Sequence, residues 1–433
     1  MSDDNRAFFP ISDKNREYRK MDPASLLAKS EGWSYSECRP MKALLLIALL
    51  LANTIRAEQK LRVIEVRQPE SPAWGTNPAT ITIRNSDRRP REVLINWQCK
   101  SLMLGRNWAV DSAETIPARG TRSFTSEYII PPFPGKVAFW FRIRDAVGET
   151  VLWECKKNYE FPFANSRANP LRLPARLQTA FKLPAAEYPR LRMAARGHIV
   201  IYFLEGDTYV QGRIEKIAKE RDQIYHELAE KINPGFDSQI AVYLFPDADS
   251  KFAYTFHHGL GMANGCVLAE IYTEKERIDP YHEVTHIIAG SIGDPPALFN
   301  EGLAVWSQEG HRWDGVAADS WAKAFRARGM LWPMEKIFAF DEFGSDASRP
   351  SIAYPQGGSI VKFLIDQYGF DKFLMLYRTL KSSADPMENA TKFESVFGKN
   401  INEIEKAWLA SLMNPAIKAA SDESIARALA EPR

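Results

Sequence analysis

The chain has little net charge, few histidines and no apolar run long enough to span a bilayer. A formal net charge of +2 indicates no particular class of partner. No segment combines a basic face with aromatics and a nucleic-acid reader motif, which sets nucleic-acid binding aside. With 7 histidines in 433 residues, an H-E-x-x-H pattern arises by chance in on the order of one such chain in a hundred. A histidine motif in this chain is therefore informative.

Length and composition indicate a folded, multidomain protein. A chain of 433 residues exceeds the ~250–300 residues at which a single core stops growing, so two folded domains and connecting segments are expected. Hydrophobic residues make up 45% and charged residues 25%, which is ordinary for a globular protein, and the 12% aromatic content argues against wholesale disorder.

Residues 41–57 have the composition of a secretory signal peptide that begins at an internal methionine. Lys42 precedes the apolar run Ala43–Ala52, and small residues lead to a cleavage site after Ala57. This run is shorter than the ~20 apolar residues that span a bilayer. We therefore expect a secreted or periplasmic protein without stable membrane insertion, or a membrane-anchored one if the signal is not cleaved. Residues 1–40 are then a disordered upstream extension or precede the true start.

Residues 58–163 are predicted to form an all-β, immunoglobulin-like sandwich. Short β runs alternate with proline- and glycine-containing turns, as in sandwich domains. Cys99 and Cys155 lie in two of these runs and form either a disulfide compatible with export or a pair of small buried residues. The predicted strands are Leu61–Val66, Ala79–Arg84, Glu92–Cys99, Arg122–Ile129, Lys136–Ile143 and Thr150–Phe161.

Residues 164–196 are rich in proline and arginine and are predicted to be an extended linker. Residues 197–413 then alternate strands and helices before becoming mainly helical, which predicts an α+β domain. Its first elements are a strand at 198–204 and a long amphipathic helix at 209–232. Residues 414–433 are predicted to be a polar tail.

The sequence H-E-V-T-H at 282–286 predicts a zinc site. Positions i and i+4 of a helix lie one above the other, so His282 and His286 can bind one ion at about 2.0–2.1 Å. Asp279 and Pro280 are typical of a helix start. Glu283 lies beside the two histidines, where it can act as general base on a metal-bound water.

A carboxylate further along the chain is predicted to complete the site. Zinc with three protein ligands keeps one position for water and lowers the pKa of that water toward about 7. Glu283 would accept its proton and pass it to the leaving amine. Glu301 is the best-placed third ligand, because a short turn at 290–295 folds its helix back against the first. We expect one zinc ion per chain.

This constellation resembles the gluzincin metallopeptidases, and residues 197–413 resemble a peptidase MA-like domain of that group. The resemblance rests on 282–286, on N-E-G-L-A at 300–304 and, less specifically, on A-Y-P-Q-G-G-S at 353–359. It implies a zincin-like fold with a helical C-terminal part, with zinc bound by His282, His286 and Glu301 and catalysis by Glu283. It also implies that Tyr354 donates to the oxyanion; a packed helix tyrosine is the alternative.

Gluzincin geometry also implies an edge strand above the zinc helix, to which an extended substrate adds as a further strand. The expected substrate-binding residues are Val267, Leu268, Ala269 and Glu270. The glycine-rich segment 259–265 before this strand is a candidate lip of the cleft. His257 and His258 either reach the site or are surface or packed loop histidines.

Position 305 departs from the pattern of some gluzincins, which place there an acid that hydrogen-bonds a metal histidine. Here it is Val305, so the histidine must be oriented by another group, either Asn300, Asp294 or a backbone carbonyl.

These features predict an exported zinc metallopeptidase acting on peptides or proteins. The alternative is a non-catalytic secreted binding protein with a structural or vestigial zinc site. Cleavage preference, the choice between endo- and exopeptidase and the oligomeric state are left open by the sequence.

Overall fold

The computed structural model describes residues 60–102, 107–147, 150–345 and 347–430. The predicted signal peptide at 41–57 and the segment 1–40 lie outside these residues. Within the described ranges, no helix is both long and apolar enough to cross a membrane.

The N-terminal region is β-rich and consists of two antiparallel sheets. One has the strand order β1-β2-β5 and the other β4-β3-β6-β7. Buried and exposed residues alternate along the strands, as in β3, where Val93, Ile95 and Trp97 point inward. The strands are β1 (Leu61–Arg67), β2 (Gly75–Asn85), β3 (Arg91–Ser101), β4 (Asn107–Ile116), β5 (Thr121–Ile130), β6 (Gly135–Asp145) and β7 (Val151–Phe161).

The apolar faces of these two sheets share one core, in which the Tyr128 and Phe139 rings are 5.0 Å apart. Strand β4 was not predicted, because its sequence N-W-A-V-D-S-A-E-T-I contains many polar residues. The specific likeness to immunoglobulin domains stays a prediction.

Among the cysteines that the structure describes, neither Cys99 nor Cys155 forms a disulfide. They lie on β3 and β7, with β6 between them, since Cys99 pairs with Phe139 and Cys155 with Phe141. Two strand spacings separate the backbones by about 9.5 Å, beyond the ~7 Å that a disulfide can bridge. The two cysteines of the β region therefore lie too far apart to form a disulfide with each other in this structure.

The segment predicted as an extended linker contains regular structure. It forms β8 (Leu171–Arg172), α1 (Ala175–Phe181), β9 (Glu187–Tyr188) and β10 (Leu191–Arg196). Strand β10 pairs antiparallel with β11 (Ile199–Leu204), so it belongs to the sheet of the following region. The arginines in L-R-M-A-A-R make this strand hard to predict from sequence, because their charged ends reach solvent while the backbone pairs with the next strand.

A mixed five-stranded sheet forms the centre of the second region. Its order is β10-β11-β12-β14-β13; β12 is parallel to β11 and β14, whereas β13 is antiparallel to β14 at the edge. The new strands are β12 (Ile240–Phe245), β13 (Gly261–Asn264) and β14 (Val267–Ile271). The helices in this part are α2 (Thr208–Gln211), α3 (Ile214–Ile232) and α4 (Ala248–Thr255). The helix predicted at 209–232 is thus two helices, separated at Gly212.

The rest of the described chain is mainly helical, as expected. Helix α13 replaces part of the predicted polar tail, because Ile425 and Ala428 are buried in a cluster with Trp321 and Phe325. The elements are α5 (Pro280–Gly290), α6 (Ala297–Ser307), β15 (Arg312–Trp313), β16 (Val316–Ala317), α7 (Ala318–Ala327), α8 (Met334–Phe338), α9 (Pro350–Tyr368), α10 (Phe370–Thr379), α11 (Pro386–Phe397), α12 (Ile401–Ser411) and α13 (Asp422–Ala430).

The five-stranded sheet is covered on both faces. Ile199, Ile201 and Phe203 of β11 join the core of the helices, whereas the alternate residues join the core of the N-terminal β region. The Tyr202 ring lies 5.2 Å from Trp74, and its hydroxyl donates to the Phe163 carbonyl. Strands buried on both faces read as continuous apolar runs, as β11 (I-V-I-Y-F-L) does. The N-terminal β region thus covers the face of this sheet that lies opposite the helices.

Candidate metal centre

Helix α5 carries the H-E-V-T-H residues and begins where the sequence predicts. The Asp279 carboxylate accepts from the Tyr281 backbone N–H at 2.9 Å, and Pro280 occupies the first turn, where its missing N–H costs nothing. Val284 and Ile288 are fully buried in the core with the sheet. The opposite side of the helix therefore presents the histidines to the cleft.

Helix α6 brings Glu301 to the same place. It packs against α5 and closely against α9, because Gly302 and Gly357 face each other: a Cβ added at Gly302 would lie 2.7 Å from the Gly357 carbonyl oxygen. Absence of a side chain at these positions lets the two helices approach. Glu301, next to Gly302, thereby points at the histidines.

Three potential ligand atoms form a nearly equilateral triangle. His282 Nε2 and His286 Nε2 are 3.3 Å apart, and Glu301 Oε2 lies 3.4 Å from the first and 3.2 Å from the second. Tetrahedral bonds of about 2.0–2.1 Å separate two ligand atoms by about 3.3–3.4 Å. Apart from the imidazoles, Glu301 Oε2 has no hydrogen-bond partner among the described residues. The donor set and its spacing fit a zinc ion.

Electrostatics also favour a cation at this position. Burial alone would lower the pKa of His286, but the charge and hydrogen bond of Glu301 raise it to about 9. Burial alone would raise the pKa of Glu301, yet the two imidazoles hold it well below its usual range. The carboxylate is thus ionised inside the protein and requires positive charge, which protonated imidazole or a metal ion can supply.

Each imidazole is oriented through its second nitrogen. His286 Nδ1 is 3.1 Å from Asn300 Oδ1, which also accepts from the Tyr377 hydroxyl at 2.9 Å. An Nδ1–H donated to Asn300 leaves the Nε2 lone pair for a metal. Asn300 is one of the orienting groups that the sequence left open. Asp294, another, instead accepts from Ser382 Oγ at 2.6 Å.

His282 has its own partner, Gln308, which the sequence did not single out. Gln308 Nε2 lies 2.8 Å from His282 Nδ1, and both residues are buried. As the metal-binding tautomer carries its proton on Nδ1, the Gln308 amide would turn over in that state so that its oxygen accepts this proton. Gln308 follows the end of α6, and no motif spacing marks that position.

The valine at 305 has a packing reason. It is fully buried against α9, where a Cβ added at Gly358 would lie 2.3 Å from Val305 Cγ1. An acid in its place would bury a charge against this glycine. The orienting role therefore lies with Asn300 and Gln308 instead.

The strand above α5 is β13, and the predicted substrate strand was placed wrongly. Residues 267–270 belong to β14, which is paired on both sides and has every side chain buried. Of the two strands of this hairpin, β13 is the one at the edge of the sheet, where one of its sides has no partner strand among the described residues. It crosses next to the candidate base, because a Cβ added at Gly261 would lie 2.5 Å from Glu283 Oε1. The apolar sequence of β14 led to the prediction of the wrong strand of this hairpin.

Tyr354 lies beside the cluster on α9. Its ring stacks on Trp313 with centroids 4.6 Å apart and is 6.2 Å from the His282 ring. Burial, together with the charges of Glu301 and Glu283, raises the pKa of Tyr354 well above its usual value. The phenol is thus a neutral hydrogen-bond donor facing the same cleft as the histidines.

The cleft over these residues has a volume of about 2000 Å³. Its lip is the segment 257–266, held from below by Lys251, whose buried ammonium donates to the carbonyl oxygens of His257 at 3.1 Å and Gly259 at 2.6 Å. His257 Nδ1 lies 3.1 Å from the same ammonium, and His258 stacks on Phe252. Both histidines line the cleft, but their rings contact Lys251 and Phe252.

Residues 268–414 match the family model of the Peptidase MA superfamily. The matched segment runs from β14 to the end of α12 and includes all three residues of the triangle. It supports a peptidase MA-like domain in this part of the chain and, at that level, a peptidase hydrolase. None of the curated proteins matches this sequence.

Two solved structures show a limited likeness. One is the alkylpurine DNA glycosylase AlkC of Pseudomonas fluorescens bound to DNA containing an abasic site analogue, at 12% identity and a TM-score of 0.18. That match covers 29% of this chain and 40% of the glycosylase. The other is a FixG-related protein from Vibrio parahaemolyticus, at 11% identity, 24% and 97% coverage and a TM-score of 0.17. At these TM-scores neither likeness bears on fold or function.

Proposed function

We propose that the protein is an exported, gluzincin-like zinc metallopeptidase that hydrolyses peptide bonds. The observation that carries the proposal is the triangle of His282, His286 and Glu301, whose edges match tetrahedral zinc coordination, with Glu283 on the same helix. The Peptidase MA match over residues 268–414 supports it. One zinc ion per chain would be held by these three residues.

A zinc ion bound there would supply a Lewis acid that acidifies a water and polarises the scissile carbonyl. The Glu283 carboxylate removes a proton from the attacking water and later delivers it to the leaving nitrogen. The Tyr354 hydroxyl donates a hydrogen bond to the oxygen that gains charge during attack. Asn300 and Gln308 keep the imidazole rings in place throughout, so no reorganisation is needed at the moment of reaction.

Substrate would bind as an extended strand along β13. The free backbone groups of Gly261–Asn264 can pair with a peptide, which is the usual geometry of strand addition at a sheet edge. Such a peptide would pass over Glu283, because Gly261 lies against that carboxylate. A cleft of about 2000 Å³ has room for an unfolded segment of protein.

Export and the character of the N-terminal region belong to the same proposal. A signal peptide at 41–57 would direct the chain to the periplasm or outside the cell, and uncleaved it would act as an anchor. The N-terminal sheets would be an immunoglobulin-like sandwich whose structural role is to cover the peptidase sheet.

The decisive experiment is Glu283→Gln. General acid–base catalysis contributes about 10²–10⁴-fold, so hydrolysis of a proteome-derived peptide library should fall by at least that factor while zinc content stays at the wild-type value. The matched control is Glu274→Gln, which changes an exposed glutamate outside the cleft lining and should leave turnover unchanged. Undiminished hydrolysis by Glu283→Gln would disprove the assignment, and zinc binding without any hydrolysis by the wild type would favour the non-catalytic binding protein.

Tyr354→Phe separates the two roles considered for this tyrosine. Loss of one oxyanion donor lowers kcat by about 10²–10³-fold, with KM and zinc content near their wild-type values. A kcat within a factor of two of the wild type would mean that Tyr354 acts only through its stacking on Trp313.

A further inference from the structure

A second group of histidine and carboxylate side chains lies on the outer side of helix α3. Asp222 and His226 are one turn apart on this helix, and His198 directly precedes β11. Their potential ligand atoms all lie within 4.8 Å of one another. None of the three takes part in the proposed reaction.

A carboxylate beside one ring nitrogen of His198 favours the tautomer that a metal ligand needs. Its Nε2 lies 2.8 Å from Asp237 Oδ1, and its ring stacks on Tyr225 with centroids 4.5 Å apart and planes within 6°. A proton on Nε2 donated to Asp237 leaves a lone pair on Nδ1. That Nδ1 is buried and has no hydrogen-bond partner among the described residues. Histidine ligands of metals typically bond a carboxylate through the other nitrogen in this way.

Asp222 is fixed close to His198 by the local backbone. Its Oδ1 lies 3.4 Å from the His198 backbone nitrogen and 3.8 Å from His226 Nε2. Gly197 makes this approach feasible, because its φ is +53° and a Cβ there would lie 2.2 Å from Asp222 Oδ1. Arg196 Nε is 3.8 Å from the other oxygen, Oδ2. Oδ1 thus faces the histidines while Oδ2 faces the arginine.

We propose that His198, Asp222 and His226 form a second metal site for a divalent transition-metal ion of the zinc class. Two imidazole nitrogens and one carboxylate oxygen are ligands that Zn²⁺, Co²⁺ and Ni²⁺ accept, whereas Mg²⁺ and Ca²⁺ prefer oxygen alone. The bound ion joins the turn before β11 to helix α3, which packs directly on the helix of the candidate catalytic motif. This site does not depend on the proposed peptidase activity.

The third ligand closes the site by moving. His226 is 60% exposed on its side chain, against 29% for His198 and 19% for Asp222. The 3.8 Å between Asp222 Oδ1 and His226 Nε2 exceeds the ~3.3–3.4 Å edge of a zinc tetrahedron, so the His226 ring must move toward Asp222. Side-chain ordering on binding costs affinity. We therefore expect weaker binding here than at the triangle of His282, His286 and Glu301.

The experiment counts metal ions per chain. The full-length protein is stripped with a chelator, dialysed against a series of free Zn²⁺ concentrations and analysed for metal. We expect about two ions per wild-type chain at saturation and about one for His226→Ala or Asp222→Asn at the same free Zn²⁺. His226→Ala changes an exposed residue, so the fold is retained, and His258→Ala is the matched histidine control that should keep two ions.

The two sites are distinguished by the converse variant. His286→Ala should lose the first ion and keep the second, whether or not the wild type hydrolyses peptides. In crystals soaked with Zn²⁺, the second ion should give an anomalous peak between His198 Nδ1 and Asp222 Oδ1. Equal metal content in the wild type and His226→Ala, or no ion bound by His286→Ala, would overturn the proposal by leaving these residues as a hydrogen-bonded surface group.

Discussion

The two histidine–carboxylate clusters differ in how firmly their imidazoles are held. In the first, His282 and His286 each contact a side-chain amide, and the ligand atoms already have the spacing of a zinc tetrahedron. In the second, only His198 is fixed, and His226 remains largely in solvent. The same residue types thus make a preorganised site and an adaptable one. Catalysis requires metal ligands that are already in position, whereas a site in which one ligand must move can still bind an ion.

Helix α3 separates the two clusters and shows both environments on consecutive residues. Asp222 faces outward to the second cluster, whereas Arg221 faces inward and pairs with Glu270 of β14. Arg221 is 1% exposed and Glu270 is fully buried. Burial raises the pKa of Glu270 to about 7, against the opposing effect of Arg221. This pair fixes the helix on the sheet beneath both sites.

The largest effect should come from breaking this pair. Arg221→Met leaves the Glu270 carboxyl buried without its partner, which costs about 3–5 kcal/mol in the free energy of unfolding. Arg221→Met combined with Glu270→Leu should cost less than the single change, because Arg221 Nε and Glu270 Oε2 already lack hydrogen-bond partners within the described part of the chain. Urea unfolding of the two single variants and the double variant measures the coupling. Additive losses would show that the pair does not act as a unit.

A smaller effect should follow from loosening one imidazole of the first cluster. Asn300→Ala removes the acceptor of His286 Nδ1, and loss of such outer contacts lowers metal affinity by about 10–100-fold. The variant is made in a His226→Ala background, so that chelator competition reports the first cluster alone. Asn414→Ala, an exposed asparagine, is the control. An unchanged zinc affinity would mean that preorganisation by Asn300 does not distinguish the two clusters.

The smallest effect, taken per pH unit, is the pH dependence of zinc binding at the first cluster. Glu301 outweighs burial and raises the pKa of His286 to about 9 in the metal-free protein, so zinc must displace a proton below that pH. Affinity in the His226→Ala background should rise about tenfold per pH unit from pH 7 and level off near pH 9.

The sign for stability follows from the same raised pKa. The protonated imidazole stabilises the metal-free fold fully below about pH 6.5, the ordinary value for histidine, and this contribution is lost as pH rises through about 9. The Tm of the metal-free chain should therefore fall over this interval, whereas that of the zinc-loaded chain should not. A zinc affinity independent of pH between 7 and 9 would contradict the assigned proton.

Local signals were enough to predict the helix of the candidate centre and its three converging residues. Asp279 and Pro280 mark the start of α5, and the i, i+4 spacing brings both imidazoles to one face. The edge strand was missed, because β13 is short and glycine-containing, whereas the apolar β14 is more strand-like in sequence yet lies inside the sheet. Strand order depends on pairings far apart in the chain, which local patterns do not encode.

Gln308 and Arg221 were missed for a related reason. Both are polar residues whose partners, His282 and Glu270, lie on other elements. A buried polar side chain has the same local signature as a solvated one, and only the tertiary structure tells them apart. The departure at Val305 did, however, correctly predict that a histidine needs another orienting group, and Asn300 was among those considered.

The shared core behind the five-stranded sheet makes the order of synthesis matter. The N-terminal strands leave the ribosome first. Trp74 and Phe133 therefore stay uncovered until Tyr202 and Tyr243, which contact them in the folded protein, have been synthesised. At about 5–20 residues per second, the segment from β7 to β14 takes roughly 5–20 s to emerge. During that interval the apolar surface of the N-terminal β region is exposed to water and to other nascent chains. A slow stretch of translation between β7 and β11 should therefore increase aggregation, and a fragment that ends before β11, and so lacks Tyr202 and Tyr243, should be a client of chaperones.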